Sequence, residues 1–351
     1  MKLGKVSLTI LGLTFFIMSC GNDDDNGNNT VPDRDRAEVY AEDIVEIETY
    51  LQTHFYNYED FDFGNPYSLA NDSFEIVFDT IEGVNSGKTP LIDQVTSKQV
   101  TDSEGQEYTL YYLNIREGQG NEVHFIDKAY VSYKGSKTDG DVFDSAVTPI
   151  SFNLTTVATL SGVVQGFRDS LIEFKTSDSF TDNGDGTLTY HNHGIGATFI
   201  PSGLGYFSTS LTEIPSYTPI IFRFNVIDNT IMDHDADGIP SFMEDLNSDG
   251  DTFDNDSDED SGADFIDNDD DNDDTLTKDE VEVKAYEEDL SMMPFMSRAD
   301  AQTFFNDNAA TDEHFISIDF NEGGTYTLNT IILTDSNNDG TPDYLDESIS
   351  E

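Results

Sequence analysis

An α+β fold is predicted: antiparallel strands covered by one short helix, with an N-terminal helix before them and an acidic, loop-rich extension after them. Three observations predict it. Between residues 74 and 226 several short runs alternate apolar and polar positions, the period of a half-buried strand. Two stretches carry the helical period instead, one ahead of the strands and one among them. Beyond residue 230 the composition shifts, and residues 233–274 hold 19 acidic residues and no Lys or Arg. The 351 residues are 36% hydrophobic and 25% charged, which fits a packed core with a polar appendage. A net charge of −55 repels phosphate backbones, so no nucleic-acid partner is expected. With no Trp but 25 Phe and 16 Tyr, any pocket is built from Phe, Tyr and aliphatic side chains. A single Cys excludes an intramolecular disulfide.

In chain order, Lys2 and Lys5 precede the apolar stretch Val6 to Met18, a signal-peptide pattern too short to span a bilayer. Ile17-Met18-Ser19-Cys20-Gly21 resembles a bacterial lipobox. That resemblance implies a signal peptide over 1–19 and lipidation of Cys20, anchoring the chain in a membrane. Asp23-Asp24-Asp25 resembles the export signal of surface lipoproteins of the Bacteroidetes, which implies the outer membrane or cell surface. Residues 20–36 are Asn-, Asp- and Gly-rich and read as a flexible tether.

Tyr40, Ile44, Ile47, Leu51 and Phe55 form one helical face over about 37–56, with Asp33 or Asp35 as its cap. Phe74 to Phe78 and Tyr108 to Leu113 read as strands and complete an N-terminal region, 37–120. In a second region, 121–229, Lys128 to Lys134 is a strand and Asp139-Gly140 a turn. Ile150, Phe152 and Leu154 alternate, with Phe152, Leu154 and later Phe224 read as core. Phe167, Leu171 and Phe174 mark the short helix. Asp182 to Gly186 reads as a hairpin tip. Ile220, Phe222, Phe224 and Val226 give a last strand one apolar face, with Arg223 and Asn225 opposite. The acidic extension is 230–351, with a helix near Ala299 to Phe305 and a strand near Tyr326 to Leu333.

Six fragments of the second region stand in a telling order: Val131-Ser132-Tyr133-Lys134-Gly135, Asp139 to Ser145, Ile150 to Leu154, Val163-Val164-Gln165-Gly166-Phe167, Ile200 to Tyr206, and Ile214 to Phe222. The series resembles the FKBP-type peptidyl-prolyl cis-trans isomerases, and with its flanks it resembles lipoproteins of that type from the Bacteroidetes. The resemblance implies a twisted antiparallel sheet wrapped around one short helix, with an apolar pocket between them. Tyr133, Phe143 and Phe222 would be the pocket walls and Phe167 the floor, edged by Val163 and Val164. Asp144 would be the polar wall group. The Tyr206 hydroxyl and the Val164 N–H would donate to a substrate carbonyl, and Ile214 would close the rim. The implied partners are proline-containing exported polypeptides, and no cofactor is needed for catalysis. Turning an X–Pro bond breaks amide resonance against a barrier of about 18–20 kcal/mol. The twisted amide is less charge-separated than the planar one, so a dry aromatic pocket favours it. The chain departs from the family at Phe167 (Trp in the best-known members), at Ile150 (Phe) and at Phe207 (usually Gly). These departures motivate an alternative, a non-catalytic, calcium-dependent surface binding module on the same scaffold.

Asp233, Asp235, Asp237, Gly238 and Glu244 occupy positions 1, 3, 5, 6 and 12 of a calcium loop. Asp269, Asp271, Asp273 and Glu280 repeat the spacing, as do Asp335, Asn337, Asp339 and Asp346. A denser acidic string, Asn247 to Asp260, lies between. The set resembles thrombospondin type 3-like repeats more than paired EF-hands. Alternate carboxylates on a tight loop suit calcium, which takes six to eight hard oxygens. A structural Ca2+ role is expected.

Overall fold

The computed structural model describes residues 32–349; the signal-peptide stretch, the lipobox and Cys20 lie outside them. Asp35 starts the first helix, accepting from the Glu38 N–H at 3.0 Å and so pairing one of the donors a helix start leaves open. This helix, α1, runs Arg36–Thr53. It stops short of Phe55, because His54–Tyr56 turns extended as β1 and pairs with β2 (Phe78–Thr80). Of the strand expected over 74–78, only Phe78 joins a ladder; Phe74 and Ile76 are buried on extended chain.

The next elements are β3 (Thr96–Thr101), β4 (Glu107–Arg116), β5 (Lys128–Lys137), β6 (Val142–Asn153), α2 (Gln165–Leu171), β7 (Ser179–Asp182), β8 (Leu188–His191), β9 (Gly194–Ile200) and β10 (Ile220–Thr230). Six of these strands make one antiparallel sheet in the order β3-β4-β9-β10-β5-β6. The sheet crosses residue 120, since β4 pairs with β9. The hairpin β7–β8 turns at Asp182 to Gly186, with positive φ at Gly184 and Gly186.

All seven residues of β9 are buried, so this sheet is covered on both faces. On one face α2 presses Phe167 and Leu171, with Phe174 just beyond it, onto Val131, Phe222, Phe224 and Val226. On the other, Ile47, Tyr50 and Leu51 of α1, with Phe61 and Phe74, cover Leu113, Ile115, Ile195, Phe199 and Ile221. Each such side chain contributes about 1.5–3 kcal/mol by leaving water. A sheet served by one helix was expected; here α1 supplies a second cover. The alternation of β10 holds, with Ile221 and Arg223 on the α1 side, where Arg223 donates to the Ile76 carbonyl at 3.0 Å.

The extension adds α3 (Thr277–Glu280), β11 (Val281–Tyr286), α4 (Arg298–Asn308), β12 (Glu313–Phe320) and β13 (Tyr326–Leu333). Its strands form an antiparallel sheet, β11-β13-β12, with Ala301 of α4 packed beside Phe295, Ile318 and Leu328. From Arg34 onward the chain is one compact unit. Asn121 joins the six-stranded sheet and its covering helices, the head, to the extension: its amide donates to Asp319 Oδ1 at 2.9 Å and accepts from Arg298 Nη2 at 2.9 Å and the Ile318 N–H at 3.0 Å. Ala263 and Phe265 pack there against Ile126 and Val157. Among the described residues no helix is long and apolar enough to cross a membrane.

Candidate functional site

The residues expected to form the pocket converge. Phe167 of α2 stacks on Phe222 of β10, centroids 4.5 Å apart at 27°. Tyr133 of β5 lies 6.4 Å from Phe167 and 5.9 Å from Phe222, and Phe143 of β6 meets Phe222 edge-on at 5.6 Å. Val163, Val164, Tyr206 and Ile214 pack on the same core. Phe152, expected as plain core, joins the ring cluster: it is half-buried, edge-on to Tyr133 at 5.5 Å and 6.5 Å from Phe167. Ile150, by contrast, is 40% exposed. The register explains how the rings approach. Gly135 pairs with both Phe222 and Asp144, and a Cβ there would stand 2.5 Å from the Phe143 ring and 2.9 Å from Phe222.

Polar groups sit at the edge of this cluster. The Tyr133 hydroxyl donates to Asp144 Oδ2 at 2.5 Å. Burial pushes the Tyr133 hydroxyl well above its usual range, and the hydrogen bond and charge of Asp144 push it further. Burial raises Tyr206 too, with the charge of Asp144 second. One carboxylate therefore acts on both hydroxyls, adding to burial in favouring their protonated, donating form. Asp144 itself is exposed, a rim group and not a buried wall. The Val164 N–H precedes α2, whose ladder begins with Phe167 and Arg168 donating to the Val164 carbonyl. Two cavities, of about 960 and 480 Å³, lie where the six-stranded sheet region meets the extension, and none of the nine pocket residues lines either.

The loop bearing Tyr206 is held by α1. Asp43, 3% exposed, accepts from the Ser202 N–H at 2.7 Å and the Ser202 hydroxyl at 2.6 Å. Burial raises the Asp43 carboxyl to about 6, although the Ser202 bonds act against the shift. Phe207 takes φ 44°, a region that favours glycine. Its ring is clasped by the Arg36 guanidinium at 4.2 Å and by Tyr217 at 5.2 Å, contacts that offset the backbone cost. The departure from Gly at this position is thus matched by a contact from α1.

In the acidic segment the structure repeats one loop five times, opening at Asp233, Asp245, Asp256, Asp269 and Asp335. Each has positive φ at position 4 (Ala236, Ser248, Glu259, Asn272, Asn338) and at position 6 (Gly238, Gly250, Ser261, Asp274, Gly340). In each, the position 3 side chain accepts from the position 5 N–H, and position 5 from position 7. Two of the five, at 245 and 256, lie in the dense string the spacing left unassigned. Two of the three predicted sets gather in part: Asp233, Asp235 and Asp237 bring oxygens within 4.8 Å of one another, and Asp269, Asp271 and Asp273 do the same without Glu280; Glu244 meets Asp237 together with Asp270, a residue the spacing did not name. Asp256, Asp258 and Asp260 form a further cluster. Asp335, Asp339 and Asp346 do not cluster; Asn337 turns its amide donor to Asp346 at 2.7 Å and to Asp339 at 3.3 Å.

The donor set is all oxygen, which suits a hard cation. Buried oxygens of Asp235, Asp237, Glu244, Asp271, Asp273 and Glu280 have no hydrogen-bond partner among the described residues, an arrangement proteins rarely keep without a bound ion. Burial, then the charges of Asp237 and Asp235, push the Glu244 carboxyl up to about 11. Burial, then Asp271 and Asp273, push Glu280 up to about 8.

A family model described as BamM C-terminal matches residues 234–313, a stretch that takes in the first four acidic loops and the start of the C-terminal sheet. No curated protein matches the chain. Among solved structures, FkpA from Escherichia coli is 25% identical over 38% of this chain and 51% of its own, with a TM-score of 0.28. A peptidyl-prolyl cis-trans isomerase from Pseudomonas syringae pv. tomato is 20% identical over 38% of this chain and 80% of its own, with a TM-score of 0.28. The three FKBP domains of wheat FKBP73 are 15% identical over 39% of this chain and 51% of that one, with a TM-score of 0.29. The chain thus spans about half the length of FkpA and of the wheat protein.

Proposed function

We propose that this chain is an FKBP-type peptidyl-prolyl cis-trans isomerase acting on X–Pro bonds of exported proteins, anchored by a lipid at Cys20 in the outer membrane or on the cell surface. The observation that carries the reading is the convergence of Tyr133, Phe143, Phe167 and Phe222, with the Tyr133–Asp144 hydrogen bond at their edge. The proline ring would insert among these side chains, and its preceding amide would turn without a covalent step. Tyr206 and the Val164 N–H would donate to the turning carbonyl, while the low-polarity surroundings favour the twisted amide. Calcium would stiffen the extension through the carboxylate loops. A refolding assay limited by X–Pro isomerisation tests the enzyme. A folded chain with no rate above background defeats the claim.

The rival reading, a non-catalytic calcium-dependent binding module, draws on one observation. Phe167 is 2% and Phe222 5% exposed, so the floor ring is sealed beneath its neighbour. Binding of a proline peptide without rate enhancement would favour it.

A further inference from the structure

Ligands of a calcium loop come from positions 1, 3, 5, 7, 9 and 12, and position 2 is left out. In the loop opening at Asp269, position 2 is Asp270; the other four loops carry His234, Leu246, Ser257 and Ser336 there. The backbone N–H of Asp270 is held by Thr277 Oγ1 at 3.2 Å, as Ser257 N–H is by Asp264 and Ser336 N–H by Asp343. The side chain takes no part in this repeat. It is 2% exposed, and neither of its oxygens has a hydrogen-bond partner among the described residues.

What Asp270 faces belongs to another loop. One of its oxygens lies within 4.8 Å of oxygens of Asp237 and Glu244, positions 5 and 12 of the first loop. Glu244 is 1% exposed with both oxygens unpartnered, and Asp237, also 1% exposed, has Oδ2 unpartnered. Three desolvated carboxylates aimed at one another cannot all stay ionised unless a cation neutralises them.

We propose that Asp270 is a ligand in trans, completing with Asp237 and Glu244 a buried divalent-cation site that cross-links the first and fourth acidic loops. The proposal rests on the calcium reading of those loops and adds a ligand their spacing does not supply. Calcium is the cation favoured. Zinc prefers nitrogen and sulfur donors, and magnesium keeps several waters, which so enclosed a site accommodates poorly.

The test titrates Ca2+ by calorimetry into the full chain stripped with chelator, beside Asp270→Asn and Asp279→Asn; Asp279 is exposed in the same loop. D279N is expected to match the wild type. D270N is expected to bind one ion fewer, or to lose at least tenfold in affinity at one site. Equal stoichiometry and affinity in D270N would overturn the assignment while leaving the loops as calcium sites. A wild-type chain that binds no calcium would overturn both. Should D270N fail to fold, a calcium-loaded crystal structure of the wild type decides. An ion bonded to Asp270, Asp237 and Glu244 upholds the site, and ions that leave Asp270 without contact refute it.

Discussion

Asp43 on α1 grips Ser202 twice, through the amide N–H at 2.7 Å and the hydroxyl at 2.6 Å. Ser202 opens the loop that carries Tyr206, so a helix on one face of the sheet fixes a rim residue of the candidate pocket on the other.

The burial of Asp43 makes stability depend on pH, since it outweighs the Ser202 hydrogen bonds that favour the charged form. Burial holds the Asp43 carboxyl at about 6, above its ordinary 3.8, so the folded chain keeps a proton that the unfolded chain has released. The contribution is full below about pH 4 and falls as pH rises through 6. Asp43→Asn keeps an acceptor and removes this dependence, so urea midpoints of the variant should vary less than wild type between pH 4 and 7. Asp43→Ala leaves the Ser202 N–H unpaired and should cost about 1–3 kcal/mol. An unchanged pH profile in the Asn variant would refute the assignment.

Tyr133 and Asp144 should behave as one unit. Tyr133→Phe and Asp144→Ala each remove the same hydrogen bond at the rim. If the chain is an isomerase, each variant should lose about tenfold in kcat/KM, roughly 1.4 kcal/mol of transition-state stabilisation, while remaining folded. The double variant should lose little more than either single one. Additive losses would show that the two groups act apart.

Gly135 lets the rings close. In Gly135→Ala the new methyl overlaps Phe143 and Phe222, which must shift. A cost of about 1–3 kcal/mol is expected in chemical denaturation, together with weaker binding of a proline peptide. A variant equal to wild type in both would mean that the rings have slack.

Chelation should loosen the extension. Calcium at a hundredfold excess over its Kd adds about 2.7 kcal/mol per site, so EDTA should lower the thermal midpoint and enlarge the radius of gyration by scattering, reversibly. No change between EDTA and millimolar calcium would refute a structural role for the ion.

Much of this was legible in the residues. The ring cluster followed from six ordered fragments, and the β10 alternation set Phe222 and Phe224 on one apolar face, which packs against α2. Asp43 was not foreseen, although it interrupts the apolar stripe between Val39 and Ile47, both buried. A buried carboxylate is informative only once its partner is known, and Ser202 lies 159 positions away. The covering of the second sheet face was missed for a similar reason, because the segment from 54 to 95 packs with little regular structure. The loops at 245 and 256 were hidden by their own composition. Where nearly every second residue is acidic, spacing alone cannot set a register, whereas the positive φ of Ser248 and Glu259 sets it at once.

The double-sided burial of β9 has a practical consequence. A shortened chain beginning at 121 would lack two of the six sheet strands and would strip α1 from the rest. Ile195, Phe199 and Ile221 would then face water as one greasy slab beside the open edge of β9, an invitation to clumping. Expression trials of the head alone should therefore start no later than Arg34, the first residue of the compact unit.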